Sequence, residues 1–396
     1  MQDLQKLSGF MGGLTPSATL AIAAMAKAMK QQGQDVLSMS AGEPDFDTPK
    51  VIKQACIDAI NQGKVYYTPA SGLLELKKEL VEKFARDNGI KTGTDRIVIA
   101  PGAKFSVFSA IAALCGPGDE VIIPAPYWLS YPEMVRATGA KVVPLQTHAA
   151  DNYELNPAEL DAKINENTKL LILNTPSNPT GAVYRKSTLE AIAEIAVRRN
   201  IMILADEIYE KLTYDADYPH VSIASLNDKI ADLTITANGF SKTYSMTGWR
   251  LGYLTAPLWL VKRIVAFQSH STSNPTTFVQ WAGITALRDG AADVSRMRQA
   301  FSSRRDLIYS LLKDVEGLKC IRPQGAFYVL CDISSFGLTS DKFCERLLSE
   351  ELLAVVPGTG FGASGSIRLS YACSESNIRE AVRRLVKFCE SLRKQA

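Results

Sequence analysis

The feature that most constrains the fold is a repeated alternation of short apolar runs with segments of helical period, between about residues 90 and 255. Apolar runs of this kind are typical of strands covered on both faces, and their alternation with helices is typical of a parallel, doubly wound sheet. The sequence therefore predicts an α/β fold with a large, mostly parallel sheet. The predicted strands are residues 96–100, 121–124, 141–146, 169–173, 201–205, 233–237 and 252–256.

The pattern changes after about residue 295, where strands and helices no longer alternate regularly. A long helix is predicted at 296–312 and a shorter one at 341–350, with strands near 323–330 and 367–370. Grouped elements of this kind indicate a smaller α+β domain. A chain of 396 residues with 46% hydrophobic content can bury two cores. We expect residues 49–294 to form the large domain, and residues 295–396 with the segment 1–48 to form the small one.

Charge and hydropathy exclude several classes of function. Lys and Arg number 44 against 41 Asp and Glu, and this net charge of +3 gives no reason to expect nucleic acid or an anionic membrane as partner. No apolar run approaches the roughly 20 residues of a membrane-spanning helix, and the first residues lack a secretory pattern. We therefore expect a soluble, cytoplasmic protein that acts on small molecules.

Cysteine and histidine spacing argues against a metal site. The seven cysteines are odd in number and scattered, without a Cys-x-x-Cys pair, so neither a disulfide framework nor a zinc site is indicated. They are expected to be reduced, as in a cytosol-like compartment. The three histidines have neither metal-ligand spacing nor a Ser/His/Asp arrangement. No metal is predicted.

The first candidate site follows the predicted strand 233–237. Lys242 lies just past that strand, where open α/β sheets place their ligands, and Arg250 follows eight residues later. A lysine that is partly desolvated and near another cation has a lowered pKa, and its neutral amine forms imines with carbonyl compounds. The guanidinium of Arg250 suits a phosphate. A lysine that forms imines and an arginine that binds phosphate together indicate pyridoxal 5'-phosphate (PLP), which carries an aldehyde and a phosphate on one ring. The alternative is that Lys242 is a solvated loop lysine and Arg250 a surface charge.

The surrounding string decides between these interpretations. Asn-Gly-Phe-Ser-Lys-Thr and Met-Thr-Gly-Trp-Arg-Leu-Gly, within 238–252, resemble the lysine signature of class I PLP-dependent aminotransferases of the aspartate aminotransferase group. The resemblance covers nearly the whole chain and implies the PLP-dependent transferase fold of type I. It implies that Lys242 holds the cofactor and that Arg250 and Ser241 bind its phosphate.

Other strand ends match the same family. A turn with Gly102, Ala103 and Lys104 opens the helix after strand 96–100, and its free backbone amides suit an anion. If this turn lies beside Lys242, it is a second contact for the phosphate. The resemblance implies that Trp128 stacks on the pyridine ring. It also implies that Asn178 and Tyr209 bind the ring hydroxyl oxygen, while Asp206 keeps the ring nitrogen protonated.

Substrate contacts are implied in the same way. Arg368 matches the residue that grips the substrate α-carboxylate, although a structural ion pair is an equal alternative for an arginine in an apolar strand. Gly42 is expected to offer its backbone N–H to that carboxylate. Lys104 with the hydroxyls of Ser17 and Thr19 matches the branch that binds a distal carboxylate with lysine.

Two further features concern the partner subunit and one departure from the family. Tyr67 is expected to reach the cofactor phosphate of a neighbouring subunit, which implies a homodimer with shared active sites. Phe105 stands where the family usually has Gln, so the role of that position is open.

The implied activity is a ping-pong transamination between aspartate or glutamate and 2-oxo acids, with prephenate as a further acceptor. Lys242 would be the proton carrier. The nearest alternatives are other reactions on the same scaffold: an alanine or aromatic aminotransferase, or a C–S lyase. A PLP-binding transcription regulator is disfavoured, because the chain has neither room for a DNA-binding module nor a basic patch.

Overall fold

The computed structural model describes Leu14 and residues 18–395; for residues 18–20 and 23 it describes the backbone only. Thirteen strands occur in this part of the chain. They are β1 (Leu37–Ser38), β2 (Ile97–Ala100), β3 (Glu120–Ala125), β4 (Lys141–Gln146), β5 (Thr168–Asn174), β6 (Met202–Asp206), β7 (Thr234–Gly239), β8 (Gly252–Thr255), β9 (Lys319–Cys320), β10 (Tyr328–Asp332), β11 (Leu353–Ala354), β12 (Val356–Pro357) and β13 (Ser366–Ser370).

The α-helices of the described residues surround these strands. They are α1 (Ala18–Gln31), α2 (Lys50–Asn61), α3 (Leu74–Lys83), α4 (Ala103–Leu114), α5 (Ser130–Ala137), α6 (Pro157–Lys163), α7 (Lys186–Arg199), α8 (Asp228–Ala231), α9 (Phe240–Thr243), α10 (Leu258–Ser271), α11 (Thr277–Asp289), α12 (Ala291–Leu312), α13 (Ser340–Glu351) and α14 (Glu375–Gln395).

A seven-stranded sheet forms the centre of the larger body, in the order β2-β8-β7-β6-β5-β3-β4. The strands from β7 to β4 pair in parallel, whereas β8 is antiparallel to both of its neighbours. The predicted mostly parallel sheet is confirmed.

Alternating side chains of the central strands pack on opposite faces of this sheet. In β5, Leu170 and Ile172 belong to the core that contains α4 and α10, while Leu171 and Leu173 belong to the core that contains α7. All four side chains are at most 1% exposed. The apolar runs in the sequence therefore correspond to strands that are buried on both faces, which is why they lack a polar alternation.

A second body is built around an antiparallel sheet in the order β12-β13-β10-β9. The helices α12, α13 and α14 contribute Phe301, Phe343 and Phe388 to its core, all fully buried. The short strand β1 pairs in parallel with β11, so the N-terminal segment is joined to this second body. The antiparallel sheet and its helices follow the change of pattern after residue 295, and the division into two domains stays a prediction.

Several details differ from the sequence prediction. The periodicity of residues 73–88 predicts one helix, but α3 ends at Lys83 and the chain continues as one wider π-helical turn, Phe84–Asn88. The long helix predicted at 296–312 begins earlier, at Ala291. The helix predicted at 341–350 is present as α13.

The expectation that all seven cysteines are reduced is wrong for two of them. Cys320 and Cys331 form a disulfide across the β9–β10 pair, where their Cα atoms are 4.5 Å apart. The remaining five cysteines are free. The sequence does not reveal the pair, because the register of two antiparallel strands brings the two residues together across eleven positions. Among the described residues, no helix is long and apolar enough to cross a membrane.

Candidate active site

The candidate site is a cavity of about 690 Å³ between the carboxyl ends of the central strands and the second body. Ligands of open α/β folds bind at this edge of the sheet. The lining includes Lys27, Lys30, Ser40, Gly42, Glu43, Ala103, Lys104, Trp128, Tyr131, Asn178, Asp206, Tyr209, Ser241, Lys242, Arg250, Tyr328 and Arg368. Most of the residues predicted from the sequence therefore lie around one cavity.

Lys242 lies in α9, one short turn after β7, as predicted. Its Nζ donates a hydrogen bond to the carbonyl oxygen of Gly42 and lies 5.9 Å from the centre of the Phe327 ring. Desolvation, opposed by the charge of Glu43 and reinforced by the positive charges nearby, lowers the pKa of Lys242 to about 8. A substantial fraction of this amine is therefore neutral close to physiological pH, as an imine-forming group requires.

Asp206 is the last residue of β6, and its carboxylate is buried in the site. Oδ2 accepts a hydrogen bond from Tyr131 Oη over 2.7 Å, and Oδ1 accepts one from the amide of Ile208 over 3.2 Å. Desolvation raises the pKa of Asp206 to about 6, and the hydrogen bond from Tyr131 is the largest influence in the opposite direction. The carboxylate is therefore mostly ionised at neutral pH and available to a cationic ring nitrogen.

Asn178 and Tyr209 are both buried and line the same cavity as Asp206. Tyr209 Oη shares a hydrogen bond of 2.9 Å with Tyr328 Oη. Asn178 accepts a hydrogen bond of 2.8 Å from Arg368 through Oδ1, and its Nδ2 has no partner among residues 18–395. That amide is therefore free to donate to a ligand oxygen.

Arg368 is 2% exposed at the centre of β13. Its guanidinium donates to Asn178 Oδ1 and to the carbonyl oxygen of Ser40, over 2.8 and 3.1 Å, and stacks 4.3 Å from the centre of the Tyr328 ring. Its Nε is buried without a hydrogen-bond partner. Its hydrogen bonds go to an amide and a carbonyl oxygen, and no carboxylate of the described residues forms an ion pair with it, so the structural ion pair considered above is absent and the charge remains available to an anion.

The opposite end of the cavity is formed by the start of α4. Gly102 precedes this helix with a positive φ of 88°, and a Cβ there would lie 2.5 Å from Arg250 Nη2. A Cβ at Gly252 would overlap the amide nitrogen of Ala103, so β8 and the helix start are in close contact. The first amides of a helix have no intrahelical acceptor, and together with the Arg250 guanidinium they form an anion site. Ser241 is buried next to it in the cavity wall.

Lys104 is exposed to the cavity, with its Nζ 5.0 Å from the centre of the Trp128 ring. Desolvation, followed by the charge of Arg250, lowers the pKa of Lys104. Trp128 packs edge-on against Tyr131 with ring centres 5.2 Å apart. Phe105 points elsewhere and stacks on Phe267 at 6.0 Å, so it does not line the cavity.

The other predicted residues are placed as follows. Gly42 lines the cavity, and its carbonyl oxygen accepts the hydrogen bond from Lys242. The predicted contact of its N–H with the substrate carboxylate stays a prediction. Tyr67 does not line this chain's own cavity and is 90% exposed. Thr19 belongs to α1, but its side chain, like all of Ser17, lies outside the described residues.

Sequence reasoning missed two contributors. Tyr131 follows Trp128 closely in the chain, but nothing in the sequence indicates that its hydroxyl bonds Asp206, 75 residues away. Tyr328 begins β10 and links Tyr209 to Arg368, and an aromatic residue at a strand start is usually a core residue. Only the paired strands and the segments around them reveal these two roles.

The residues fit pyridoxal 5'-phosphate as a set. The cavity combines an amine of lowered pKa, a buried carboxylate, a free amide donor on Asn178 and an anion site at a helix start. These are the partners that an aldehyde, a pyridine nitrogen, a ring hydroxyl and a phosphate need. The close approaches at Gly102 and Gly252 bring backbone amides to the cavity as a phosphate cradle requires.

Comparisons with known proteins agree with this chemistry. Residues 34–385 match the family described as aminotransferase class I and II. The chain is 46% identical over 380 residues to an aspartate aminotransferase of Bacillus sp. (strain YM-2), covering 95% of this chain and 97% of that protein. It is 42% identical over 387 residues to an aspartate/prephenate aminotransferase of Thermus thermophilus, covering 97% and 99%.

A solved structure, the aspartate aminotransferase from Thermus thermophilus with maleate, superimposes with a TM-score of 0.93 at 42% identity, covering 96% of this chain and 99% of that one. The chain therefore belongs to the class I and II aminotransferases, which are PLP-dependent enzymes. Its fold is that of PLP-dependent transferases of type I.

Proposed function

We propose that this enzyme transfers amino groups between aspartate or glutamate and 2-oxo acids, with prephenate as a further acceptor. The observation that carries the proposal is Lys104, a cation of the cavity wall in addition to Lys242 and Arg250, which are assigned to the cofactor, and Arg368, which is assigned to the α-carboxylate. Lys104 and Arg368 both face the cavity, and neither has an ion-pair partner among residues 18–395. An amino acid with two carboxylates needs two such cations. The relatives named above act on aspartate or prephenate, and one was solved with maleate, a dicarboxylate.

The chain's own residues account for the chemistry. Bound PLP supplies a ring that withdraws electrons from the substrate α-carbon. Arg368 holds the α-carboxylate and thereby orients that carbon, while ionised Asp206 keeps the ring nitrogen protonated. The neutral amine of Lys242, with its pKa near 8, takes the α-proton and delivers it again as an acid. A second oxo acid then uses the same residues in the reverse order.

Replacement of Lys104 tests the substrate class. Removing one partner of a desolvated charge pair costs roughly 2 to 5 kcal/mol, which corresponds to about 30-fold or more in kcat/KM. We expect Lys104→Ala to lower kcat/KM for aspartate and glutamate by at least about that factor, and to spare alanine and phenylalanine.

Steady-state kinetics on these four amino acids measures the effect. Equal losses for dicarboxylic and neutral substrates would show that Lys104 serves the phosphate or the fold. A wild-type enzyme that prefers alanine or phenylalanine, or that releases ammonia from a single substrate, would favour the alternative transaminases or a C–S lyase.

We also infer a homodimer with shared active sites. The face formed by α2 and the following loop exposes Ile57 (50%), Ile60 (46%), Tyr66 (81%) and Tyr67 (90%). Several large apolar and aromatic side chains exposed on one face of a single chain indicate a protein interface. A second copy is the proposed occupant, because Tyr67 contacts no part of its own cavity and the family resemblance assigns it to a neighbouring cofactor phosphate.

Disruption of that face tests the assembly. We expect wild-type enzyme to sediment at about twice the chain mass of 43.2 kDa. Ile57→Glu combined with Ile60→Glu should give a monomer with weakened cofactor binding. Lys229→Glu, at an exposed position of α8, is the control and should leave the mass unchanged. A wild-type protein that sediments as a monomer and is fully active would refute shared sites.

Two expectations from the sequence stay proposals. The division into residues 1–48 with 295–396, and 49–294, is supported by the β1–β11 pairing and the separate second sheet. A cytoplasmic location is supported by the bacterial relatives, whereas the Cys320–Cys331 disulfide speaks against a reducing compartment. Cell fractionation combined with thiol titration distinguishes the two.

A further inference from the structure

The turn after β6 presents its side chains in two opposite directions. Asp206 and Tyr209 face the active-site cavity. Glu207 and Glu210 do not line it, yet they are only 1% and 6% exposed. We call residues 206–210, the turn after β6, the catalytic turn. The two carboxylates buried behind it need compensating partners, because an isolated buried charge is strongly unfavourable.

Those partners form a group that we name the buried charge cluster. Its members are Lys83, Asn88, Glu207, Glu210, His220 and Ser222. Lys83 Nζ lies 2.5 Å from Glu210 Oε1, with the two side chains 3% and 4% exposed. Lys83 also donates to Asn88 Oδ1 over 2.7 Å, and Asn88 Nδ2 lies 2.7 Å from Glu210 Oε2 and 3.1 Å from Glu207 Oε2.

The far side of the cluster is closed by the loop that precedes α8. Ser222 Oγ donates to Glu207 Oε2 over 2.7 Å, and His220 Nε2 lies 3.0 Å from the same oxygen. The cluster therefore joins three segments: the π-helical turn after α3, the loop at 220–222 and the turn after β6. Asn88 is 119 residues from Glu207 and 134 residues from Ser222 along the chain.

A metal ion is the other occupant that these residues suggest. Ligand atoms of Glu207, Glu210 and His220 lie within 4.8 Å of one another. However, the Lys83 ammonium already contacts Glu210, and Asn88 Nδ2 contacts both carboxylates. The cluster thus contains its own cation, so we assign it no metal.

We propose that the buried charge cluster consists of positioning residues, which hold the catalytic turn and set the charge behind Asp206. The proposal rests on the PLP-dependent activity but not on a particular substrate. Asp206 and Glu207 are neighbours in the chain, so a change in the net charge of the cluster changes the electrostatic potential at Asp206 and at the bound cofactor together. Lys83 and Glu207 have opposite charges, and their removal must therefore act in opposite directions.

The visible absorbance of PLP joined to a lysine changes with protonation, and the pH midpoint of this change reports local charge. Removing a negative charge lowers the midpoint, whereas removing a positive charge raises it. We expect Glu207→Gln to lower the midpoint and Lys83→Met to raise it, each by about 0.3 to 1 pH unit. The spectrum is recorded before any substrate is added, so the result does not depend on aspartate being the substrate.

Other charged and titratable groups also face Lys242 and Asp206, and all are retained in every variant. They are Glu43, Lys104, Tyr131, Tyr209, Arg250 and Arg368. Lys141→Met is the matched control, because Lys141 forms an ion pair of 2.7 Å with Glu120 at the surface, where its side chain is 72% exposed. This control should leave the midpoint unchanged.

A role limited to packing would shift both variants in the same direction or leave both at the control value, and either result would overturn the proposal. If Lys83→Met does not fold, Lys83→Met combined with Glu210→Gln removes the whole ion pair without changing the net charge. We then expect this double variant to keep the wild-type midpoint while Glu207→Gln lowers it. An unchanged midpoint in Glu207→Gln would equally refute the proposal.

Discussion

The two sides of the turn after β6 bury ionisable groups in contrasting ways. On the cavity side, Arg368 has a buried Nε without a partner, and burial raises the pKa of Asp206 to about 6. On the other side, Lys83, Glu207 and Glu210 each have charged or polar partners within 3.1 Å. His220 Nδ1 is the buried atom of that cluster without a partner.

The difference shows what each side is for. Groups that are left without partners destabilise the folded chain but remain able to bind a cofactor and a substrate, which is the usual conflict between stability and activity. Groups that are saturated with partners stabilise one arrangement of the backbone and bind nothing else. One turn of five residues therefore has one side arranged for ligands and one side arranged for the fold.

The largest expected effect is on the saturated side. Lys83→Met leaves two buried carboxylates with one cation fewer, and breaking a buried pair costs about 3 to 5 kcal/mol in free energy of unfolding. Lys141→Met breaks the pair with Glu120, in which the lysine side chain is 72% exposed, and should cost at most about 1 kcal/mol. Urea denaturation of the cofactor-free proteins measures both. Similar losses in the two variants would remove the contrast between the sides.

On the cavity side we expect a smaller effect on the free energy of unfolding, and the substitution Asp206→Asn should stabilise the folded chain near neutral pH. The folded-state pKa of Asp206 is raised from 3.8 to about 6, so the folded chain binds this proton more tightly than the unfolded chain. Its stabilising contribution is therefore present at low pH and is lost as the pH rises through about 4 to 6. Asp206→Asn does not titrate, so its stability relative to wild type should rise by about 2 kcal/mol between pH 4.5 and 7.5.

This second prediction is measured by urea denaturation of the cofactor-free proteins at the two pH values. Because each protein is compared with itself at another pH, the hydrogen bonds that the substitution alters largely cancel. If the stability of Asp206→Asn relative to wild type does not change with pH, or falls as the pH rises, then the ionised carboxylate of Asp206 does not destabilise the fold.

The smallest effect concerns the hydrogen bond between Tyr131 and Asp206. This bond lowers the pKa of Asp206, so Tyr131→Phe should raise that pKa above about 6. We expect the acidic limb of the kcat/KM profile to move to higher pH, with a loss of several-fold near pH 6 and little change near pH 8. Tyr309→Phe, in α12, is the control. An acidic limb that does not move would show that Tyr131 only fills space.

Much of the fold and part of the site could be predicted from the sequence. Strand and helix periods are local properties, and the strands of a parallel sheet end at a common edge. Lys242, Asp206 and Asn178, each at or just past a strand end, were therefore predictable as neighbours, and all three line the cavity. The turn at Gly102 was predictable for the same reason, since a helix start next to a strand end forms an anion site. Arg250 precedes β8 and was predicted from its spacing to Lys242 and from the matched signature.

Tertiary structure alone decided how the buried polar groups are paired. The hydrogen bonds from Arg368 to Asn178 and to Ser40 join residues 190 and 328 positions apart, and the contact of Asn88 with Glu207 spans 119 positions. The Cys320–Cys331 disulfide likewise depends on strand register. Periodicity indicates which residues are buried, but burial leaves the choice of partner open. That choice follows from the packing of whole elements, because a hydrogen bond requires two atoms within about 3 Å and no local pattern encodes that distance.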